Sequence, residues 1–250
     1  MTLLQLEELR VVVTGGGSGI GLATAQQFAS QGARVAALDL HPPLSTAEIM
    51  GIECDVRDET SVDSAVAAAV ETLRGIDVLV NNAGIGASGT VADNNMQEWQ
   101  SVFDVNVFGT VRMTKACLPE LRKSPSAAIV NLASIVSWTG LSNRAVYGAS
   151  KGAIYSLTLA MAADHAAEGI RVNCVCPGTV DTPWVARLLD AAPDPNAARA
   201  NLIARQPIGR LGTADEIATA ICYLASPAAG YVTGTALQID GGTHSFVVPK

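Results

Sequence analysis

The sequence predicts an α/β protein built on a doubly wound parallel sheet of about seven strands with helices on both faces. Three observations carry that expectation. Short, continuous apolar runs such as Leu9 to Thr14 (LRVVVT) recur along the chain, as strands covered on both faces require. Segments with apolar residues at helical spacing separate those runs. A glycine-rich turn, Thr14 to Gly21 (TGGGSGIG), joins the first run to the first helical segment.

Each element follows from local pattern. After Leu9 to Thr14, the first helix covers Gly19 to Gln31 and is stopped by Gly32. Ala33 to Asp39 is the second strand. His41 to Gly51 contains Pro42 and Pro43, so this crossover has room for a short helix at best. Gly51 to Cys54 is the third strand, Thr60 to Arg74 an alanine-rich helix, and Ile76 to Val80 the fourth strand. A long helical stretch, Met96 to Leu121, stops in the region of Pro119 and leads to a fifth strand, Ala127 to Ala133. Tyr147 to Ala167 is a helix ended by Gly169, whose many small residues would let another helix approach closely, as at a subunit interface. Ile170 to Cys176 is the sixth strand. Thr213 and Glu216 form a capping box for a helix to Ala225, and Thr235 to Asp240 is the seventh strand. The segment from Pro177 to Arg210, with Pro183, Pro193, Pro195 and Pro207, is expected to be a long irregular loop covering the substrate. No linker, repeat or low-complexity tract interrupts the pattern, so residues 1–250 are expected to form one domain.

Composition narrows the function. The chain has 250 residues, of which 49% are hydrophobic and 16% charged, too few charges to solvate a whole monomer surface, so a homo-oligomer is expected. A net charge of -7, with no block of Lys and Arg, argues against nucleic-acid partners. No uninterrupted apolar stretch of about 18 residues exists, so no membrane span is expected. The opening MTLLQLEELRVVVT carries acids before its apolar run and reads as a lead into a strand, not a secretory signal. The cysteines Cys54, Cys117, Cys174, Cys176 and Cys222 are odd in number and scattered, and the three histidines offer no ligand spacing. Buried free thiols in a reducing cytoplasm, without a metal, are therefore expected. Cys174 and Cys176 would point the same way along their strand.

Two clusters carry chemistry. In the glycine turn the backbone can approach a pyrophosphate, and the following helix N-terminus supplies unpaired N–H groups and partial positive charge. Asp39 ends the next strand, eighteen residues beyond Gly21, where a carboxylate accepts from a ribose 2′-OH and repels a 2′-phosphate. Ser18, where a basic residue could meet that phosphate, is neutral, which favours NAD over NADP. Farther along, Tyr147 and Lys151 are four residues apart, on one face of a helix. An ammonium beside a phenol favours phenolate, so Lys151 is expected to lower the Tyr147 pKa from its usual value of about 10 and make it an acid/base.

The glycine spacing Gly15, Gly19, Gly21 resembles that of the short-chain dehydrogenase/reductase family, which has a Rossmann-type fold. Further matches follow in the family's order: Asn81-Asn82-Ala83-Gly84, Asn106, Ser134 with Tyr147 and Lys151, and Pro177-Gly178. The resemblance extends from Val11 to Gly242. It implies that Tyr147 exchanges a proton with the substrate oxygen and that Lys151 lowers its pKa and holds the nicotinamide ribose. It implies that Ser134 polarises the substrate oxygen and that the Asn106 backbone carbonyl holds a relay water. It assigns Ser18, Ile20, Asp55, Val56, Asn82, Ala83, Gly84, Tyr147, Lys151, Pro177, Gly178, Val180 and Thr182, with the three glycines and Asp39, to the cofactor. Within the family, Cys174 to Pro183, Asn143-Arg144, Ala198-Arg199, Arg205-Gln206 and Gly209-Arg210 are similar to a branch of hydroxybutyrate and 2-keto-3-deoxy-sugar-acid dehydrogenases. Members of the family are often tetramers, which the low charge content also suggests.

Arg144, beside the catalytic phenol, suits a substrate carboxylate, and Arg187 and Arg205 in the covering loop could complete an anion pocket. The expected activity is NAD-dependent oxidation of a secondary alcohol on a small hydroxy acid or keto-deoxy sugar acid. A 3-oxoacyl-thioester reductase or a neutral sugar or alcohol dehydrogenase is the alternative within the family, the former disfavoured by Asp39 because such reductases generally take NADPH. A non-catalytic nucleotide-binding protein is disfavoured because Ser134, Tyr147 and Lys151 are all present.

Overall fold

A computed structural model describes residues 4–190 and 192–245; position 191 of the expected covering loop and both chain ends lie outside the described residues. β1 (Arg10–Thr14) leads through the glycine turn into α1 (Gly19–Ser30) and β2 (Arg34–Asp39). A crossover without helix reaches β3 (Ile49–Glu53), then α2 (Glu59–Leu73) and β4 (Val78–Asn81). α3 (Met96–Phe103), a π-helical turn (Asp104–Phe108) and α4 (Gly109–Leu121) follow one another directly before β5 (Ala128–Leu132). A 3-10 turn (Ile135–Ser137) precedes α5 (Ala145–His165) and β6 (Arg171–Pro177). The chain continues through β7 (Val180–Asp181), α6 (Pro183–Asp190), α7 (Pro195–Ala204), β8 (Gly212–Thr213), α8 (Ala214–Ala225) and β9 (Ala236–Ile239).

The main sheet has the order β3-β2-β1-β4-β5-β6-β9, and every pairing is parallel. The winding reverses between β1 and β4, which opens a crevice beyond the carboxyl ends of those strands. Side chains alternate across the sheet and build a core on each face. Val11 and Val13 pack with Phe28, Ile217 and Ile221 under α1 and α8. Val12 packs on the other face with Met113 and Leu121 of α4.

Element boundaries differ from the sequence expectation by one or two residues; the helical stretch from Met96 ends at Leu121 as expected, with Pro119 in its last turn. One difference is substantive. The segment 177–210 is not irregular, because α6 and α7 occupy most of it. Pro183 and Pro195 are the first residues of those helices, where a missing N–H costs nothing and a fixed φ favours helix. The capping box forms as expected: Glu216 N–H donates to Thr213 Oγ1 (3.2 Å) and Thr213 N–H to Glu216 Oε2 (2.8 Å). The five cysteines are free and buried. Among the described residues no cluster of His, Cys, Asp or Glu could hold a metal ion, and no helix is long and apolar enough to cross a membrane.

Candidate active site

The crevice at the β1/β4 reversal is a cleft of about 490 Å³. All site residues expected from the sequence line it except Gly21, Asn106 and Arg187.

Its first half is built from backbone. The Thr14 hydroxyl accepts from the N–H groups of Asn82 and Ala83, both at 3.0 Å. The Asn82 amide donates to the carbonyls of Thr14 (2.9 Å) and Gly15 (3.1 Å), so the turn is locked to the end of β4. Gly15 and Gly19 have φ of 64° and 53°, in the left-handed region. A Cβ on Gly17 would lie 2.3 Å from the His41 carbonyl oxygen. Gly21 is not among the residues lining the cleft: a Cβ there would lie 2.0 Å from the Gly15 carbonyl oxygen, so this glycine lets the turn's own backbone close.

Side-chain oxygens of Asp58, Asn95, Asp194 and Thr213 cap α2, α3, α7 and α8. Ser18 makes no such bond at α1, which leaves that helix's first N–H groups for an anion at the cleft wall. The glycine cradle and the uncapped helix fit a dinucleotide pyrophosphate. Asp39 is fixed at the same end: its carboxylate accepts from Gly17 N–H and His41 N–H, both at 3.0 Å. Asp55 forms an ion pair with Arg57 (2.6 Å), whose guanidinium holds the carboxyl below the usual range.

The reactive centre joins β5, the 3-10 turn and α5. Ser134 ends in extended backbone and accepts weakly from Val136 N–H (3.4 Å). The Ser137 hydroxyl donates to the Lys151 carbonyl (2.9 Å), which ties this segment to α5. Asn106 is buried behind the wall. Its amide accepts from Ile85 N–H (2.8 Å) and donates to Ile85 O and Ser150 Oγ, both at 3.0 Å. Its backbone carbonyl lies in the π-helical turn and accepts from the Thr110 hydroxyl (3.0 Å).

The expected effect of Lys151 on Tyr147 differs in the structure. The ammonium donates to the Leu132 carbonyl (2.7 Å), sits 5.8 Å from the Tyr147 ring centroid, and is itself pushed down to about 8 by burial. Burial raises the Tyr147 phenol, and it is the Ser134 hydroxyl and the charge of Arg144 that pull it back.

The second half of the cleft is lined by long side chains. Arg144 donates through Nη1 to the Ala87 carbonyl (2.9 Å) and to the Ser88 hydroxyl. Arg205, at the end of α7, faces the same space and acts on Arg144 by repulsion. Neither arginine has a carboxylate partner among the described residues. Arg187 is exposed on α6 and does not reach the cleft. Thr182 lines the cleft while its hydroxyl accepts from Val185 N–H (3.4 Å) at the start of α6.

Sequence reasoning missed Leu141, Trp184, Leu188 and Leu202, which form the apolar wall of this half. A signal existed, because Trp184, Val185, Leu188 and Leu189 repeat at helical spacing inside the segment read as irregular.

A glycine cradle at the switch point of a parallel sheet, with Ser, Tyr and Lys at its open end, defines a nicotinamide-binding oxidoreductase. A family model described as enoyl-(acyl carrier protein) reductase matches residues 15–244. The chain is 43% identical to dehydrogenase/reductase SDR family member 6 of Aquarana catesbeiana, over 93% of this chain and 96% of that protein. It is 39% identical to 2-(S)-hydroxypropyl-CoM dehydrogenase 3 of Xanthobacter autotrophicus, over 93% and 95%. Among solved structures, the ligand-free aldohexose dehydrogenase of Thermoplasma acidophilum superposes with a TM-score of 0.91 at 33% identity, covering 99% of both chains. The chain belongs to the short-chain dehydrogenase/reductase family and is an oxidoreductase.

Proposed function

We propose that the protein is an NAD-dependent dehydrogenase that interconverts a secondary alcohol and its ketone on a small hydroxy acid or 2-keto-3-deoxy sugar acid. One observation carries the substrate class: Arg144 and Arg205, without carboxylate partners among the described residues, face the cleft beside Ser134 and Tyr147 in a chain of net charge -7. Two cations left together favour an anionic ligand. The walls around them, including Ile85, Val136, Leu141, Trp184, Leu188 and Leu202, are apolar. Between the two acids they favour a hydroxy acid with an apolar body over the more hydroxylated sugar acid, whose hydroxyls would lose water without gaining partners.

Tyr147 takes the alcohol proton during oxidation and returns it during reduction, while Ser134 donates a hydrogen bond to the same oxygen. Lys151 would hold the ribose side of the cofactor, and a water on the Asn106 carbonyl would carry the proton outward. NAD supplies the hydride acceptor at nicotinamide C4. Asp39 accepts from the adenosine ribose and opposes a 2′-phosphate.

The family model's description and the similarity to an aldohexose dehydrogenase support two further readings, a thioester-linked substrate and a neutral sugar. A panel of hydroxy acids, sugar acids, acyl thioesters and neutral alcohols, run with NAD and NADP and followed by cofactor absorbance, separates them. Highest kcat/KM for an acid with NAD is expected; highest values with NADP, or with a neutral alcohol, would overturn the proposal. We further propose a homotetramer, supported by exposed apolar residues Phe108 and Val111 on one helical rod and Leu159 on α5, and a cytoplasmic location, which the five buried free thiols suit. Light scattering that gives a monomer mass would refute the tetramer.

A further inference from the structure

The stretch from Ala87 to Asn95, ahead of α3, has no part in the chemistry above, yet it contacts the residues just ahead of Tyr147 at several points. Gly89 and Arg144 form an isolated parallel bridge. Gly89 N–H donates to the Asn143 carbonyl (3.1 Å), and Ala145 N–H donates to the Gly89 carbonyl (3.2 Å). Asn143 adopts φ of 58°, so the turn that delivers Arg144 is a left-handed one held from outside its own helix. The guanidinium rests on the same segment through the Ala87 carbonyl and the Ser88 hydroxyl. Only Nη1 is engaged in this way; Nε and Nη2 have no partner among the described residues.

Asn94 supports this segment from beneath. It is 7% exposed, and its Nδ2 donates to the Ser88 carbonyl and to Glu98 Oε2, both at 2.9 Å. Its amide fills the space beside Gly89, where a Cβ would lie 2.6 Å from Nδ2. Its Oδ1 is buried without a partner among the described residues, a penalty that an apolar side chain of similar size would avoid. Packing alone therefore does not account for an asparagine here, whereas the bond to Ser88 does.

We propose that Ser88 and Asn94 are positioning residues for Arg144: Asn94 fixes the Ser88–Gly89 backbone, and Ser88 holds one edge of the guanidinium so that the other edge is presented to the substrate's anionic group. The proposal rests on the reading of Arg144 as the anion ligand. It adds that the specificity for acids depends on a loop remote in sequence from both the reacting residues and the α6–α7 cover.

The test uses the full chain in a dead-end complex with NADH, with 3-hydroxybutyrate and its uncharged methyl ester as probes, and reads dissociation constants by calorimetry without turnover. Arg144→Gln serves as the reference and is expected to weaken the acid by about thirtyfold and leave the ester unchanged. Ser88→Ala and Asn94→Ala are each expected to weaken the acid by about fivefold, with the ester again unchanged, and Ser88→Thr to restore it. Ser88 is exposed, so its alanine variant tests the idea even if Asn94→Ala fails to fold. If Arg144→Gln discriminates acid from ester and Ser88→Ala does not, the positioning role is overturned and the anion site stands. If Arg144→Gln does not discriminate, the anion site is overturned and the positioning role with it.

Discussion

In the cofactor half of the cleft, backbone is held by backbone and by short side chains. Thr14, Asn82 and Asp39 each accept or donate to main-chain groups at 2.9 to 3.1 Å, and Gly15, Gly17 and Gly21 leave no room for a Cβ. In the substrate half, long side chains reach inward from two helices and one loop: Trp184 and Leu188 from α6, Leu202 from α7, Arg205 beyond it, and Arg144 from the turn before α5. The difference shows where each kind of specificity resides. A pyrophosphate and ribose are common to every turnover, and rigid main-chain donors suit them. A substrate that differs among relatives is matched by side chains that can change without disturbing the sheet.

The sharpest way to break this division is at its junction. Tyr147→Phe is expected to reduce kcat by about a thousandfold, within the usual range for loss of a general acid/base. Cofactor affinity, read by quenching of tryptophan fluorescence, should change by less than about twofold. An equal loss of cofactor binding would mean that the two halves are not separable.

Asp39→Ser tests the cofactor half alone. Removing the carboxylate removes its repulsion of a 2′-phosphate, so the ratio of kcat/KM for NAD to that for NADP should fall by on the order of a hundredfold. The KM for an acidic substrate should stay constant. If the cofactor ratio does not move, Asp39 serves only to accept from Gly17 and His41.

Arg144→Gln tests the substrate half and carries a pH signature. Burial holds the Tyr147 phenol above its usual range, and the Arg144 charge opposes that shift. Alcohol oxidation requires the phenolate, so activity rises with pH through the phenol pKa. Without the guanidinium that pKa rises further, and the rising limb of kcat/KM for a neutral alcohol should move to higher pH. Using a neutral alcohol separates this effect from the loss of acid binding. An unmoved limb would leave Ser134 as the only group opposing burial.

The same division explains what was legible in the sequence. The glycine turn and the Tyr147–Lys151 pair are encoded at fixed short spacings, because a turn or one helical turn dictates them, and Asp39 is found from the turn because one helix and one strand separate the two. The sheet was legible for a similar reason, since doubly covered strands must be apolar throughout. Spacing does not distinguish a glycine that faces a phosphate from one that, like Gly21, admits a neighbouring carbonyl. The prolines of the 177–210 segment were read as breaks, although Pro183 and Pro195 begin helices. The position of the Lys151 ammonium was not legible at all, because its partner, the Leu132 carbonyl, comes from another strand.

Arg187 provides the smallest expected effect and the clearest check on that reasoning. Treated as part of an irregular loop, any arginine between Pro177 and Arg210 could fold over the substrate. Once α6 is a helix, rotation of about 100° per residue fixes what each position faces. Val185 and Leu189 are buried, Trp184 and Leu188 line the cleft, and Arg187 is left on the outer face. Arg187→Ala should therefore change KM for an acidic substrate by less than about twofold, the usual range for a surface substitution. A tenfold increase in KM would show that α6 rotates or shifts by a turn when substrate binds, and that the substrate half reorganises where the cofactor half does not.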